Sequence, residues 1–263
     1  MKKMSIVCMM ALCLTIKGLS SPIIINRLDF YLDLPEQEAK HLREDFKDKK
    51  KLRECLEKGG LLSIRTAEPG KMLKIKERFD VNDKVMQVVL MDIIREASMK
   101  TGWKEPLNYS RDTYVAYWIL HGAITWLGVC ADAEGKQFLM NVITDNTKDV
   151  FFRKRAIESY LYRTDAQEMQ DKLTRFLVGD MQVEPYDTYL FVVQTLYDVS
   201  ENDAQKREAI ASTVSVTLAK EENKDIFVTV DKLFAKRSKN YADSPQRKAA
   251  LQRFNIPTEK ETP

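Results

Sequence analysis

The chain has little of what builds turns. Nine glycines and eight prolines in 263 residues are too few for a collagen-like or linker-like chain, and too few for the many turns of an all-β protein. Histidine is scarcer still, with His41 and His121 the only two. There is no His-Glu-x-x-His, no cysteine pair at zinc spacing, no Gly-x-Ser-x-Gly and no phosphate-cradling glycine loop. The patterns that mark a zinc hydrolase, a serine hydrolase or a nucleotide enzyme are therefore missing. No acidic cluster has the spacing of a calcium loop, so the sequence points to no metal, no cofactor and no catalytic residue. Beyond residue 20 no run of eighteen apolar residues is free of charge, which leaves no candidate membrane span.

The first twenty residues stand apart. Lys2 and Lys3 are a short basic start, Met4 to Ile16 is apolar except for Ser5 and Thr15, and Gly18 and Ser20 are small residues before a plausible cut after Ser20. That is the pattern of a secretory signal peptide, and thirteen apolar residues are too few to anchor the chain across a bilayer. The expectation is export, to a periplasm or outside the cell. Removing Lys2, Lys3 and Lys17, with no acid lost, takes the formal charge of +3 to zero. A neutral mature chain has no electrostatic case for nucleic acid, whose binders present basic faces. Cys8 and Cys13 leave as well. Cys55 and Cys130 remain, and they read as two small buried residues more readily than as a bridge.

What is present is core material and helical period. The chain is 44% hydrophobic and 31% charged, with three Trp, ten Tyr and eleven Phe, a composition that folds. From residue 21 to 109 the pattern is mixed but mostly helical. Ile23, Ile24 and Ile25 are a strand or an extended arm. Pro35 is placed for the first position of a helix, which Ala39, Leu42, Phe46, Leu52 and Leu56 carry on to Gly59 and Gly60. Over 61–79, Leu62, Ile64 and Thr66 alternate before Glu68-Pro69-Gly70, which leaves a short hairpin or a loop open. After Asp80, Val81, Val85, Val88, Val89, Met91 and Ile93 mark a helix with a broad apolar face that Gly102 ends.

From residue 110 to 255 the chain repeats itself. Ala131-Asp132-Ala133-Glu134, Thr164-Asp165-Ala166-Gln167, Asn202-Asp203-Ala204-Gln205 and Ala242-Asp243-Ser244-Pro245 each sit between two apolar-periodic runs, with their aspartates 33, 38 and 40 residues apart. A side-chain oxygen at such a point accepts from the free amides of a helix start, and a Glu or Gln shortly after returns the bond. Asp132, Asp165, Asp203 and Asp243 are therefore predicted helix-corner caps. They join Arg111–Cys130 to Ala133–Ile143, Lys148–Tyr162 to Asp165–Val178, Pro185–Val199 to Asp203–Lys220, and Asp225–Lys239 to Pro245–Phe254. Each hairpin has two apolar faces and cannot bury both alone, so neighbours must stack.

With Trp126-Leu127-Gly128-Val129-Cys130-Ala131-Asp132-Ala133 as a small-residue helix end and corner, and Phe138-Leu139-Met140-Asn141-Val142-Ile143 as a second-helix run, the region resembles the HEAT-repeat superfamily. The residue after the corner aspartate departs from the family's Pro or Arg: it is Ala in three units and Ser in the last. The resemblance implies an all-α fold, a right-handed α-solenoid of antiparallel hairpins, and a surface that docks other molecules. Residues 256–263 read as a disordered tail.

Aromatic side chains concentrate at the start of that region. Tyr114, Tyr117 and Trp118 fall on one helical face, with Tyr109, His121 and Trp126 close by. The plain reading is a core stripe. Two functional readings stand beside it: a binding groove made by Tyr114, Tyr117, Trp118, His121 and Trp126, for a peptide or a glycan, and an enzyme centred on His121 with Arg111 or Asp112. The latter needs His121 accessible with a carboxylate in reach. The favoured reading is an exported, non-enzymatic interaction or scaffold protein with a protein or peptide partner.

Overall fold

The computed structural model describes residues 27–58, 61, 62, 69–105, 110–177, 193, 196, 197, 200 and 203–257. The expected signal segment 1–20, the expected arm at Ile23–Ile25, Gly59 and Gly60, residues 63–68, most of the helix expected over Pro185–Val199, and residues 258–263 of the expected tail lie outside them. Among the described residues there are thirteen helices and no strand. The chain forms two compact units, Met1–Phe138 and Leu139–Pro263.

The first unit begins with α1 (Arg27–Asp33), α2 (Glu36–Lys47) and α3 (Lys49–Lys58). The sequence period runs unbroken from Pro35 to Leu56, yet the chain splits it. Asp48 is extended (φ −91°, ψ 122°) and its carboxylate accepts from Lys51 N at 2.9 Å. A short carboxylate that can bond the backbone two or three residues on competes with helix continuation and starts a new helix instead. Pro35 occupies the cap position, one residue ahead of α2.

Residues 69–79, where the pattern allows a hairpin or a loop, take a third form. α4 (Pro69–Arg78) is a helix opened by Pro69, with Met72, Ile75 and Phe79 buried. Those three lie three or four residues apart, which is one helical face; the Pro69-Gly70 pair, turn-like in the sequence, is a helix start, where proline loses no bond. Arg78 ties α4 to the end of α1 by donating to the carbonyls of Leu32 and Leu34.

α5 (Asp83–Thr101) starts at Asn82, whose side chain accepts from Val85 N, and stops at Gly102, in the left-handed conformation at φ 60°. α6 (Arg111–Cys130) starts at Ser110, whose hydroxyl accepts from Thr113 N. Every residue of α6 from Leu120 to Cys130 is buried, the pattern of a helix surrounded on all sides. The sequence pairs this helix with the one after it. In the structure its closest neighbour is α5, with α4 also against it. The Leu61–Leu62 pair seals a further side. Trp126 Nε1 donates to Leu61 O at 2.7 Å, and one turn earlier Gly122 leaves room for Leu62.

α7 (Ala133–Thr144) runs through the boundary between the units. The second unit continues with α8 (Val150–Tyr162), α9 (Ala166–Leu177), α10 (Ala204–Leu218), α11 (Lys224–Ala235), the single turn α12 (Lys239–Ala242) and α13 (Pro245–Arg253). Phe152, Ile157, Leu173, Phe176, Ile210 and Phe227 fill its core. α9 packs on α8 and more closely on α10, and α10 in turn on α12 and α13. The sequence period runs to Lys239, but α11 ends at Ala235, and α12 intervenes before the last corner.

Two buried charges are held by named partners. Arg153 donates to Ile143 O at 2.8 Å, satisfying a carbonyl at the end of α7, and burial lowers its pKa. Asp231 on α11 accepts from Arg247 Nε at 2.6 Å and from its second nitrogen at 2.9 Å, and from Tyr241 Oη at 2.8 Å. A carboxylate taken out of water persists only when so paired, and this one fastens α11, α12 and α13 together.

Candidate functional site

The four corner aspartates do not behave alike. Asp132 Oδ1 accepts from Glu134 N at 2.9 Å and Gly135 N at 3.1 Å. Asp165 accepts from Glu168 N at 2.8 Å and Asp203 from Lys206 N at 3.0 Å. At the last corner the cap is Ser244, whose hydroxyl accepts from Arg247 N at 3.2 Å, and Asp243 instead closes α12 with its side chain exposed. A serine one residue nearer the proline has the right reach for an α13 that begins at Pro245.

The Asp132 corner is the most elaborately held. The Asp132 amide donates to the buried Gln87 side chain at 2.9 Å, and Lys84 bridges Asp132 and Glu134 at 3.3 and 2.9 Å. The Gly135 amide, then Gln87 and Lys84, pull the Asp132 carboxyl down to about 2. Neither Gln87 nor Lys84 stands out in the sequence. Each sits in an ordinary helical run, and only the fold brings α5 to this corner.

The aromatic cluster divides between surface and core. Tyr114 is 40% exposed and Trp118 half-buried, and their rings meet edge-on at 5.7 Å. Tyr117, His121 and Trp126 are buried, with the His121 ring 4.7 Å from Tyr117. Five residues of the candidate groove thus reduce to two at the surface, because a helix face drifts around its axis and α6 passes from the surface into the core along its length. Val115, 47% exposed, and the half-buried Ile119 extend the surface pair into an apolar patch of Tyr114, Val115, Trp118 and Ile119. Tyr109 lies outside the described residues.

The His121 centre is not assembled. His121 is 4% exposed. Asp112 and Arg111 lie at the start of the same helix, nine residues or more away, which is about 13 Å along the axis. His41 is exposed and bonds Gln37 O at 2.8 Å. Cys55 and Cys130 are both buried and unbridged, and burial pushes the Cys55 thiol up to about 11. Among the described residues no three His, Cys, Asp or Glu side chains converge as a metal site would require, and no helix is long and apolar enough to cross a membrane.

A second surface feature lies in the Leu139–Pro263 unit. A cleft of about 500 Å³ opens between α10 and the turn from α12 into α13. Glu208, Ser212 and Ser215 form the α10 wall, and Asn240, Asp243 and Ser244 face them. No sequence signal marks it, since small polar residues on a helix surface carry no period of their own.

The chain matches no protein-family model, no curated protein and no solved structure.

Proposed function

We propose that the chain is an exported, non-catalytic helical-repeat protein that docks a peptide segment of a protein partner on the apolar patch of α6. The observation that carries the reading is the outward placement of Tyr114, Val115, Trp118 and Ile119, each exposed or half-buried, on a helix that is wholly buried from Leu120 onward. Exposed aromatic and aliphatic side chains grouped on a rigid element are what peptide-docking surfaces are made of. Residues 1–20 support the export half of the proposal.

A HEAT-like stack of hairpins is part of the same proposal. It is supported by aspartate caps at three corners and by packing between helices that are not neighbours in sequence, α3 on α5 and α4 on α6 in the first unit and α10 on α12 and α13 in the second. The glycan reading is weaker because Tyr114 and Trp118 stand at 86° to one another and offer no flat platform for a sugar ring.

Selection of peptides from a displayed random library against the intact chain tests the docking reading. Selected peptides should bind saturably, and Tyr114→Ala with Trp118→Ala should weaken them at least tenfold, about 1.4 kcal/mol or more, at a temperature where far-UV circular dichroism shows the variant folded. Equal binding by the double variant would overturn it.

A further inference from the structure

We propose that the cleft between α10 and the α12–α13 turn is a subsite for one arginine side chain of a bound peptide. The inference rests on the reading of the chain as a peptide-docking protein and concerns a surface within the Leu139–Pro263 unit alone. Four features of the cleft bear on what it can hold.

Its volume of about 500 Å³ is within the range of about 300–1,000 Å³ typical of ligand sites. Two carboxylates line it, Glu208 from α10 and Asp243 from the turn, and both are exposed. Neither has an ion-pair partner among the described residues. Glu208 takes only the neutral Asn240 amide as its side-chain partner, which orients it while leaving its charge uncompensated. The remaining polar side chains of the lining, Ser212, Ser215, Asn240, Ser244 and Gln246, are neutral. An anion would meet two like charges here, so phosphate and carboxylate ligands are disfavoured.

The apolar part of the lining is aliphatic. Val216, 41% exposed, lies alongside Ala211 and Pro245, and no aromatic ring lines the cleft. That suits a methylene stem and offers a sugar nothing to stack on. A cation on an aliphatic stem therefore fits both halves of the site. Of the two natural choices, guanidinium matches it better than ammonium: its planar fork pairs bidentately with a carboxylate and keeps further N–H donors for the neutral groups around it, where ammonium is a point charge. Asp243 and Ser244 owe their positions to the last corner, where the serine caps α13 and releases the aspartate to face outward.

The test is a titration of the isotope-labelled full chain, followed by amide NMR, with Ac-Ala-Arg-Ala-NH2. The expected result is saturable shifts confined to α10, α12 and α13. Binding should be at least tenfold weaker for Ac-Ala-Gln-Ala-NH2, and at least tenfold weaker for Glu208→Gln and Asp243→Asn with unchanged melting temperatures. Equal response to the Arg and Gln peptides, shifts centred elsewhere, or full binding by both variants would overturn the assignment. Spermidine supplies the same cationic chemistry from a free amine, and binding as tight as the peptide's would overturn the peptide source. The α6 titration with selected peptides reads a different surface, so failure of this assignment and failure of the docking reading are distinguishable.

Discussion

At Gly122 an added methyl group would overlap the Leu62 carbonyl oxygen and stand 2.6 Å from its carbon, both backbone atoms that cannot swing aside. Two effects oppose each other in Gly122→Ala. The helix gains about 1 kcal/mol of propensity, while forced overpacking costs about 1–3 kcal/mol. The contact is far inside any real separation, so net destabilisation should win, by about 1–2 kcal/mol in urea unfolding. Gly70→Ala on α4 is the matched control: a Cβ there meets nothing within 4 Å, and stability should be unchanged or rise by up to about 1 kcal/mol. Gly122 shows what one sequence can and cannot say. Its place in an apolar helix is readable, but the loop that leans on it is 60 residues away in the chain.

Asp132 gives a pH dependence with a definite sign. Its carboxyl is held near 2 against an ordinary value of 3.8, so the charged form is favoured by folding. The stabilisation is complete above about pH 4 and is lost as pH falls through about 2. Melting temperature should therefore drop over that window, and Asp132→Asn should flatten the drop. An unchanged slope in the variant would show that the corner carboxylate is not linked to folding.

At the scale of elements, the helices after residue 110 are the most legible part. α6 to α10 begin and end within a few residues of the sequence reading, because long apolar periods and acidic or hydroxyl caps mark the same points. Where a short-range signal has two meanings, the sequence does not decide. Asp48 is a helix residue by period and a cap by chemistry; Pro69 is a turn residue by its Glu68 and Gly70 neighbours and a helix opener by the apolar period from Met72 onward. Pairings in three dimensions are not legible at all. Asp231 and Arg247 are 16 residues apart, and no periodicity links an acid on one helix to a base on the next but one.

That pair sets the stability of the last three helices. The Asp231 and Arg247 side chains are 7% and 16% exposed, so removing one partner strands a buried charge. Asp231→Ala should cost about 3–5 kcal/mol. Asp231→Leu combined with Arg247→Met should cost much less, since both charges leave together. Denaturant midpoints of the two variants decide the matter. Equal losses would mean that the ion pair is not what holds α11, α12 and α13.

For the whole molecule, scarcity of glycine and proline points to helices, and the described residues contain helices alone. The aromatic cluster is legible as a cluster but not as to which rings face out. That depends on how α4 and α5 wrap α6, and so on side-chain packing between segments distant in sequence. The candidate site accordingly shrinks from five residues to Tyr114 and Trp118 and gains Val115 and Ile119. The cleft on α10 belongs to the same class of feature, visible once distant walls are brought face to face.

The most direct test of the docking account is a hydrogen-exchange footprint of a library-selected peptide on the intact chain. The account predicts slowed exchange concentrated over residues 111–119 in α6, abolished in the Tyr114→Ala, Trp118→Ala chain. Protection spread evenly over the chain, or centred away from α6 and retained in the double variant, would contradict it.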